Sequence, residues 1–411
     1  MKVLYISNGL THYYNLVLSR LNNEATINLV VAAPAGIGGS IGDGVYQTKE
    51  GINFRIIELR EKRKLKFYST FEGLARVLRQ ERPDIIITLE PYLPAFLFDI
   101  SLVLAVKSIR SAIILKSIPF RYITFQESMK AIEESNIGFS SLPSFVNKML
   151  GKLGLIRTVR RILLYITRVV FNIPSAHVNY VEAYEYWESY GVPKEKIFIT
   201  RNSPDTDLLF SMREKIEREQ GILPRNPYRL LHVGRLVEWK RVDMLLRAFA
   251  RVKESFPDSE LLIIGNGPEE DNLMDLVGEL KLSNSVKFLG GIYEEEILAK
   301  YYLGSALYVL AGMGGLSINE AMSFGLPVLC SVCDGTEKAL VKEGVNGRYF
   351  KDGDEDDLVE KIIWFLERPS QTREMGFQSE EVIRNEVNIN TVINGYLDAI
   401  NYVARQKDLD A

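Results

Sequence analysis

Gly234-Arg235-Leu236-Val237-Glu238-Trp239-Lys240 sets an arginine and, five residues on, a lysine in a glycine-led loop between an apolar strand-like run and an amphipathic helix. The planar guanidinium fork matches phosphate oxygens, and the ammonium adds a point charge from the same loop. The pair suits a pyrophosphate. The plain alternative is a solvated basic loop, since Lys240-Arg241 also opens a helix. A second loop carries Gly312, Gly314 and Gly315, which leave room for close backbone approach, and then Leu316 and Ser317, where a helix start would favour an anion. Glu320, one turn on, could accept both hydroxyls of a ribose or simply complement the helix dipole.

Fewer residues in the first half invite chemistry. Ser7-Asn8-Gly9-Leu10-Thr11-His12 joins the first strand-like run to the first helix, so His12 is read either as a substrate contact or as part of a capped helix start. Glu90, after the run Asp84–Leu89 and before Pro91, is a candidate for acceptor binding or proton transfer. His177 begins a strand and His232 lies inside one, which reads as structural. Cys330 and Cys333 form a C-x-x-C with no second Cys/His cluster to complete a zinc site, and read as small residues ending a strand.

These loops need a scaffold, and 411 residues suffice for two domains, each with its own core. The formal net charge of −3 gives no general attraction to nucleic acid. In the first half, strand-like Val3–Ile6, Ile27–Ala32, Asp84–Leu89 and Ala112–Leu115 alternate with amphipathic Tyr13–Leu21, Tyr68–Arg79 and Tyr92–Val106. After an irregular stretch from Pro119 to Phe171 the rhythm resumes at His177–Tyr180. The second half alternates more regularly from Leu230 to Leu366. Strands crossed over by helices imply an α/β fold of two doubly wound, Rossmann-like domains whose carboxyl ends face a cleft. The expected boundaries are 1–202, 203–385 and a terminal helix in 386–411 that returns to the first domain, with the polar stretch Ser203–Tyr228 as linker.

At this point the order of segments is itself a signal. His232-Val-Gly-Arg-x-x-x-x-Lys, then Leu-Ile-Ile-Gly-Asn-Gly-Pro268, then Val-Lys-Phe-Leu-Gly290, then Gly-Leu-Ser-Ile-Asn-Glu-Ala-Met-Ser-Phe-Gly-Leu-Pro-Val328 resembles the group 1 glycosyltransferases, family four, of the GT-B fold. The resemblance is close from about Tyr228 to Leu366 and architectural in the first domain. It implies a retaining transfer of a sugar from a nucleoside-diphosphate sugar to a hydroxyl of a glycan or a polyprenyl-diphosphate-linked glycan, with no cofactor and no metal. By the same resemblance Arg235 and Lys240 neutralise the departing diphosphate, Gly315, Leu316 and Ser317 offer it N–H groups, Glu320 holds the ribose, and the base lies against Phe288 to Ile292. The implied substrate contacts are thus Gly9, Gly234, Gly267, Phe288, Gly290, Gly291, Gly312, Gly314, Gly315, Leu316, Ser317 and Glu320, with Arg235, Lys240, His12 and Glu90 as catalytic candidates. Two departures stand out. Gly312 occupies the first place of a glutamate pair with seven residues between its members, so backbone groups at Gly312 to Gly314 must take over a sugar contact. Ser117-Ile118-Pro119-Phe120-Arg121 lacks the histidine that relatives place beside the sugar. A nucleotide-sugar epimerase and a catalytically silent nucleotide-sugar-binding subunit remain alternatives.

One stretch points to a surface. No acidic residue falls between Glu134 and Glu182, whereas Lys148, Lys152, Arg157, Arg160, Arg161 and Arg168 do. Leu155, Val159, Ile162, Ile166 and Val170 share a helical stripe opposite the arginines. That pattern fits either a helix on an anionic membrane, across 148–171, or a core-packed helix with a solvated basic face. Met1-Lys2 runs directly into Val3–Ile6 without the pattern of a signal peptide, and no stretch makes a membrane span. The expected location is cytoplasmic, peripheral on the inner face of the plasma membrane, with no nucleic-acid partner.

Overall fold

The apolar runs resolve into two parallel sheets in a computed structural model that describes residues 1–36, 47–64, 68–117, 123–134, 154–219, 223–333 and 335–407. The chain divides into two compact units, one of Met1–Thr200 with Ile393–Ala411 and one of Arg201–Val392.

The first unit carries a seven-stranded sheet built from β1 (Lys2–Ile6), β2 (Asn28–Pro34), β3 (Arg55–Leu59), β6 (Ile85–Leu89), β7 (Ala112–Ser117), β8 (Ala176–Asn179) and β9 (Ile197–Ile199). Their order is β3-β2-β1-β6-β7-β8-β9, every pair parallel. β1 is buried on both faces, as its unbroken apolar run requires. Two readings of the sequence need correction. Tyr68–Arg79 is not one helix: Tyr68–Phe71 is a strand, β5, paired antiparallel with β4 (Glu61–Lys64), and a helix begins only at Leu74 after Gly73 in the left-handed region at φ 80°. Tyr92–Val106 is broken at Asp99, whose carboxylate caps a new helix, Ile100–Ile109, by accepting from the N–H groups of Ser101 and Leu102.

In the second unit β10 (Arg229–Val233), β11 (Glu260–Ile264), β12 (Val286–Phe288), β13 (Leu307–Leu310), β14 (Val328–Cys330) and β15 (Gly347–Tyr349) form a parallel sheet in the order β12-β11-β10-β13-β14-β15. Period-two burial feeds two cores. Leu230, Leu261, Ile263, Leu307 and Val309 pack under the helices Val242–Ser255 and Glu355–Leu366. Leu231, Leu262, Ile264, Tyr308 and Leu310 pack under Thr206–Arg218, Glu295–Leu303 and Ser317–Ser323. Ser203–Tyr228 is therefore more than a linker. Asp205 caps a thirteen-residue helix by accepting from Leu208 N–H, and Leu209, Phe210 and Ile216 bury themselves in this unit. The acidic run at Asp354 is the helix start its sequence suggested, with the Asp354 carboxylate accepting from Asp357 N–H.

Candidate functional site

The strand order of the second unit reverses between β10 and β13. At such a switch point the loops leaving two neighbouring strands turn apart, and open α/β sheets bind ligands in the crevice this creates. The loops here are Gly234–Lys240 after β10 and Ala311–Ser317 after β13, the two that the sequence singled out.

Two side chains tie them together. Lys240, only 8% exposed, donates from Nζ to the carbonyls of Met313 and Gly314, at 2.8 Å each. The Tyr308 hydroxyl bridges the Val233 carbonyl at 3.1 Å and Ser317 Oγ at 2.6 Å, joining the end of β10 to the head of the helix Ser317–Ser323. Arg235 is half-buried, its guanidinium 5.7 Å from the ring centroid of half-exposed Trp239. A Cβ on Gly315 would sit 3.3 Å from Lys240 Nζ, so the lysine lies directly against that glycine.

Gly312 acquires a packing reason. A Cβ there would fall 2.2 Å from the Trp239 carbonyl oxygen and 2.6 Å from the Lys240 carbonyl carbon, closer than any side chain tolerates. The Trp239 carbonyl in turn accepts from Met313 N–H at 2.9 Å. Three backbone groups that the sequence offered as substitutes for a missing carboxylate, Met313 N–H and the carbonyls of Met313 and Gly314, are thus engaged by the Trp239–Lys240 turn.

The other glycines have similar work. Gly265 and Gly267 lie where a Cβ would meet the carbonyl oxygens of Gly234 and Leu236 at 1.9 and 2.1 Å, which lets the β11 loop press on the β10 loop. Gly265 N–H then donates to the Gly290 carbonyl at 2.8 Å, and the Asn266 amide lies 2.9 Å from the Cβ position of Gly291. Gly234, Gly267, Gly290 and Gly291 so weld the loops after β10, β11 and β12 into one edge, with half-buried Phe288 ending β12. Asn266 and Tyr308 escaped notice in the sequence. Asn266 stood within a strand-turn motif, and Tyr308 read as one more apolar residue of a strand.

Glu320 accepts from the Tyr302 hydroxyl at 2.9 Å. Burial pushes its carboxyl up to about 7 against the pull of that hydroxyl, with a small further push from Glu295. His232 is fully buried, its Nδ1 3.1 Å from the Val309 carbonyl, and burial takes its imidazole down to about 4. His177 is likewise held neutral, to about 3, by burial beside Trp187. Cys330 ends β14 in the core, and Cys333 lies half-buried by Ser331 and Asp352 with no disulfide.

The first unit has its own switch point, between β1 and β6, flanked by the loops Ser7–Thr11 and Glu90–Tyr92. Gly9 is held by Ser7, whose Oγ donates to the Gly9 carbonyl at 2.5 Å. Thr11 precedes the helix His12–Asn22 and makes no side-chain cap, so the capped helix start suggested for this loop is not built by Thr11. Glu90 accepts a hydrogen bond from Ser117 Oγ across the ends of β6 and β7, and burial raises its carboxyl above the usual range. The structure thus joins Glu90 to Ser117, a residue the sequence marked only for lacking a histidine. Residues 118–121 lie outside the described residues, as do Lys148 and Lys152.

A parallel sheet with glycine-welded loops and two cations at its switch point is the setting in which open α/β domains bind ligands. Residues 213–382 match the family of glycosyl transferases group 1. An uncharacterized glycosyltransferase of Haemophilus influenzae is 29% identical over 173 residues, 40% of this chain and 48% of the relative. The N-acetyl-alpha-D-glucosaminyl L-malate synthase of Bacillus anthracis is 26% identical over 185 residues, 44% and 47% respectively. The chain thus spans about half the length of these curated relatives. Among solved structures, HepE of Anabaena in complex with UDP superposes with a TM-score of 0.65 at 16% identity, covering 98% of this chain and all of that one. The fold is GT-B, with two Rossmann-like domains.

Proposed function

We propose that this protein is a retaining glycosyltransferase that moves a sugar from a nucleoside-diphosphate sugar to a hydroxyl of a glycan or lipid-linked glycan in polysaccharide biosynthesis. The observation that carries the reading is the tie of Lys240 to the Met313 and Gly314 carbonyls across the switch point, which fixes a cation against Gly315. HepE, which shares the fold, was solved with UDP, and that supports a nucleoside diphosphate as the group held.

In this reading the bond from the anomeric carbon to the diphosphate oxygen breaks, and a bond to the acceptor oxygen forms on the same face. The acceptor proton leaves with the diphosphate. Arg235 and Lys240 offset the charge gathering on that leaving group, the N–H groups at Gly315 to Ser317 share it, and the Glu320 carboxylate orients the ribose. Preorganised cations of this kind need no rearrangement as charge develops, and no metal is assigned a role. Glu90, backed by Ser117, is assigned to the acceptor hydroxyl in the first unit, and His12 to the loop beside it.

For the membrane, the helix Ile156–Phe171 buries Ile156 and Val170 and exposes Ile162, Tyr165 and Val169 at 52 to 57%. The outward stripe is thus Ile162-Tyr165-Val169 rather than the whole set Leu155, Val159, Ile162, Ile166 and Val170, and it supports peripheral contact with an anionic, cytoplasm-facing surface. Arg235→Ala tests the central assignment: transfer from nucleotide sugar to acceptor should fall by at least about a hundredfold with an unchanged thermal midpoint, as for loss of one oxyanion-stabilising donor. Near-normal turnover removes Arg235 from the phosphate site.

A further inference from the structure

The first unit carries a second exposed apolar feature, away from the basic helix. The segment after β6 makes a first helical arm, Glu90–Phe98, which ends in the short helix Ala95–Phe98, and then the helix Ile100–Ile109, and the two arms meet at 88°. Asp99 enforces the corner by capping the second helix, so Ile100 sits at its vertex and is 75% exposed, the most exposed large apolar side chain among the described residues. Leu104, one turn on, is 55% exposed, and Leu97 and Phe98 on the other arm are 38% and 43% exposed. The opposite side of the same segment is core: Tyr92, Leu93, Ala95, Phe96, Leu102 and Ala105 pack on the sheet with the neighbouring helix Leu74–Glu81. Inner and outer faces are thus both apolar, which a helix layer facing only water does not need.

The rim is basic. Lys107 continues the Ile100-Leu104 stripe. Arg79, exposed on the helix Leu74–Glu81, donates from Nη2 to the Ser101 carbonyl at 3.3 Å. Tyr68 of β5 stacks on Phe98 with centroids 6.2 Å apart, which joins this arm to the β4–β5 pair. Asp99 is the sole acidic residue from Pro91 to Arg121, and it is spent on the cap.

We propose that this bent helix pair is a membrane-docking wedge that seats Leu97, Phe98, Ile100 and Leu104 in the interface of an anionic bilayer, with Arg79 and Lys107 at the headgroups. The charge selects the occupant. A second copy of the chain would bring the same cations face to face, whereas anionic lipid neutralises them. Packing selects the mode: no single helix among the described residues is long and apolar enough to cross a membrane, and the bent pair, which reaches that length only as two arms, keeps Tyr92, Leu93, Phe96, Leu102 and Ala105 in the core, so the corner lies in the interface. The wedge does not depend on which sugar or nucleotide the second unit holds.

The test is flotation of the full chain with phosphatidylcholine vesicles, with and without phosphatidylglycerol. The wild type should float with the anionic vesicles, and Ile100→Ser with Leu104→Ser should cut the floated fraction at least about fivefold at an unchanged thermal midpoint. Arg79→Glu with Lys107→Glu should erase the preference for anionic lipid. Ile100→Trp should shift its emission to the blue on adding anionic vesicles, which reads insertion at the vertex itself. The proposal is overturned if the double serine variant floats like the wild type, or if Ile162→Ser with Val169→Ser alone abolishes flotation. It is equally overturned if the double serine variant only converts a dimer to a monomer in light scattering, since the occupant is then a second copy.

Discussion

In the proposed site Glu320 is a residue whose ligand role and fold role ask for different charge states. Its carboxyl titrates near 7 because burial disfavours the anion, so the folded chain holds a proton that the unfolded chain releases at ordinary carboxylate pH. The group's contribution to stability is therefore present in acid and lost as pH rises through about 7. A ribose asks for the opposite form, because only the carboxylate accepts from two hydroxyls. Affinity for a nucleoside diphosphate, measured by calorimetry, should accordingly rise roughly tenfold between about pH 6 and pH 8. Glu320→Gln should flatten that rise and weaken binding at pH 8, and a pH-independent affinity in the native chain would separate Glu320 from the ribose. Gly312 argues the converse case, of a residue fixed by its neighbours. With the Trp239 carbonyl 2.2 Å from the Cβ position, Gly312→Ala should lower stability by about 1–3 kcal/mol in urea denaturation, the usual cost of overpacking. Gly312→Glu should therefore abolish activity rather than restore a sugar contact, and a gain of transfer would show that the turn can yield.

At the scale of elements, strands bring together what the sequence keeps far apart. β7 carries Lys116 into a cage in which its Nζ lies 3.5 Å from the ring centroid of Tyr14, 5.0 Å from that of Tyr180 and 3.2 Å from the Tyr5 hydroxyl. Tyr14 passes the contact on to Tyr396 of the C-terminal helix through a 2.7 Å hydroxyl pair. The side chains of this cage come from β1, the first helix, the end of β8 and the last helix, and burial, with no carboxylate partner among the described residues, drives the amine well below its ordinary value. The unfolded chain then binds the extra proton at neutral pH, so stability should rise with pH up to the ordinary lysine range. Lys116→Met should be more stable than the native chain at pH 7 in urea denaturation, by a margin that shrinks toward about pH 9.5, below the ordinary tyrosine range. An equal margin at both pH values would mean that Lys116 stays charged in its cage. Nothing local announced this, for Lys116 followed Ala112–Leu115 as a polar strand end. The loops of the second unit were legible because glycine, arginine and lysine sit at fixed distances along one short segment each. The β4–β5 pair was not, since Glu61–Lys64 is wholly charged and carries none of the apolar alternation that marks a strand. Nor was the Glu90–Ser117 contact, which depends on β6 and β7 being neighbours.

For the whole molecule, two units with separate cores make ligand binding a local event in stability. Every residue assigned to the donor, from Gly234 to Glu320, lies in the unit Arg201–Val392, and its loops are welded to strands of one six-stranded sheet. A ligand that binds only the folded form stabilises it by RT ln(1 + [L]/Kd), about 2.7 kcal/mol at a hundredfold excess over Kd. Hydrogen exchange of the full chain, with and without a saturating nucleoside diphosphate, reads where that free energy goes. Protection should deepen at the ends of β10, β11 and β13 and in the loops 234–240 and 311–317, while β1, β6 and β7 exchange as before. Running the same measurement across nucleotide sugars sorts the base and the sugar by the depth of protection they give. Protection confined to β1 and β6 would move the nucleotide to the other switch point, and with it the roles of Arg235, Lys240 and Glu320.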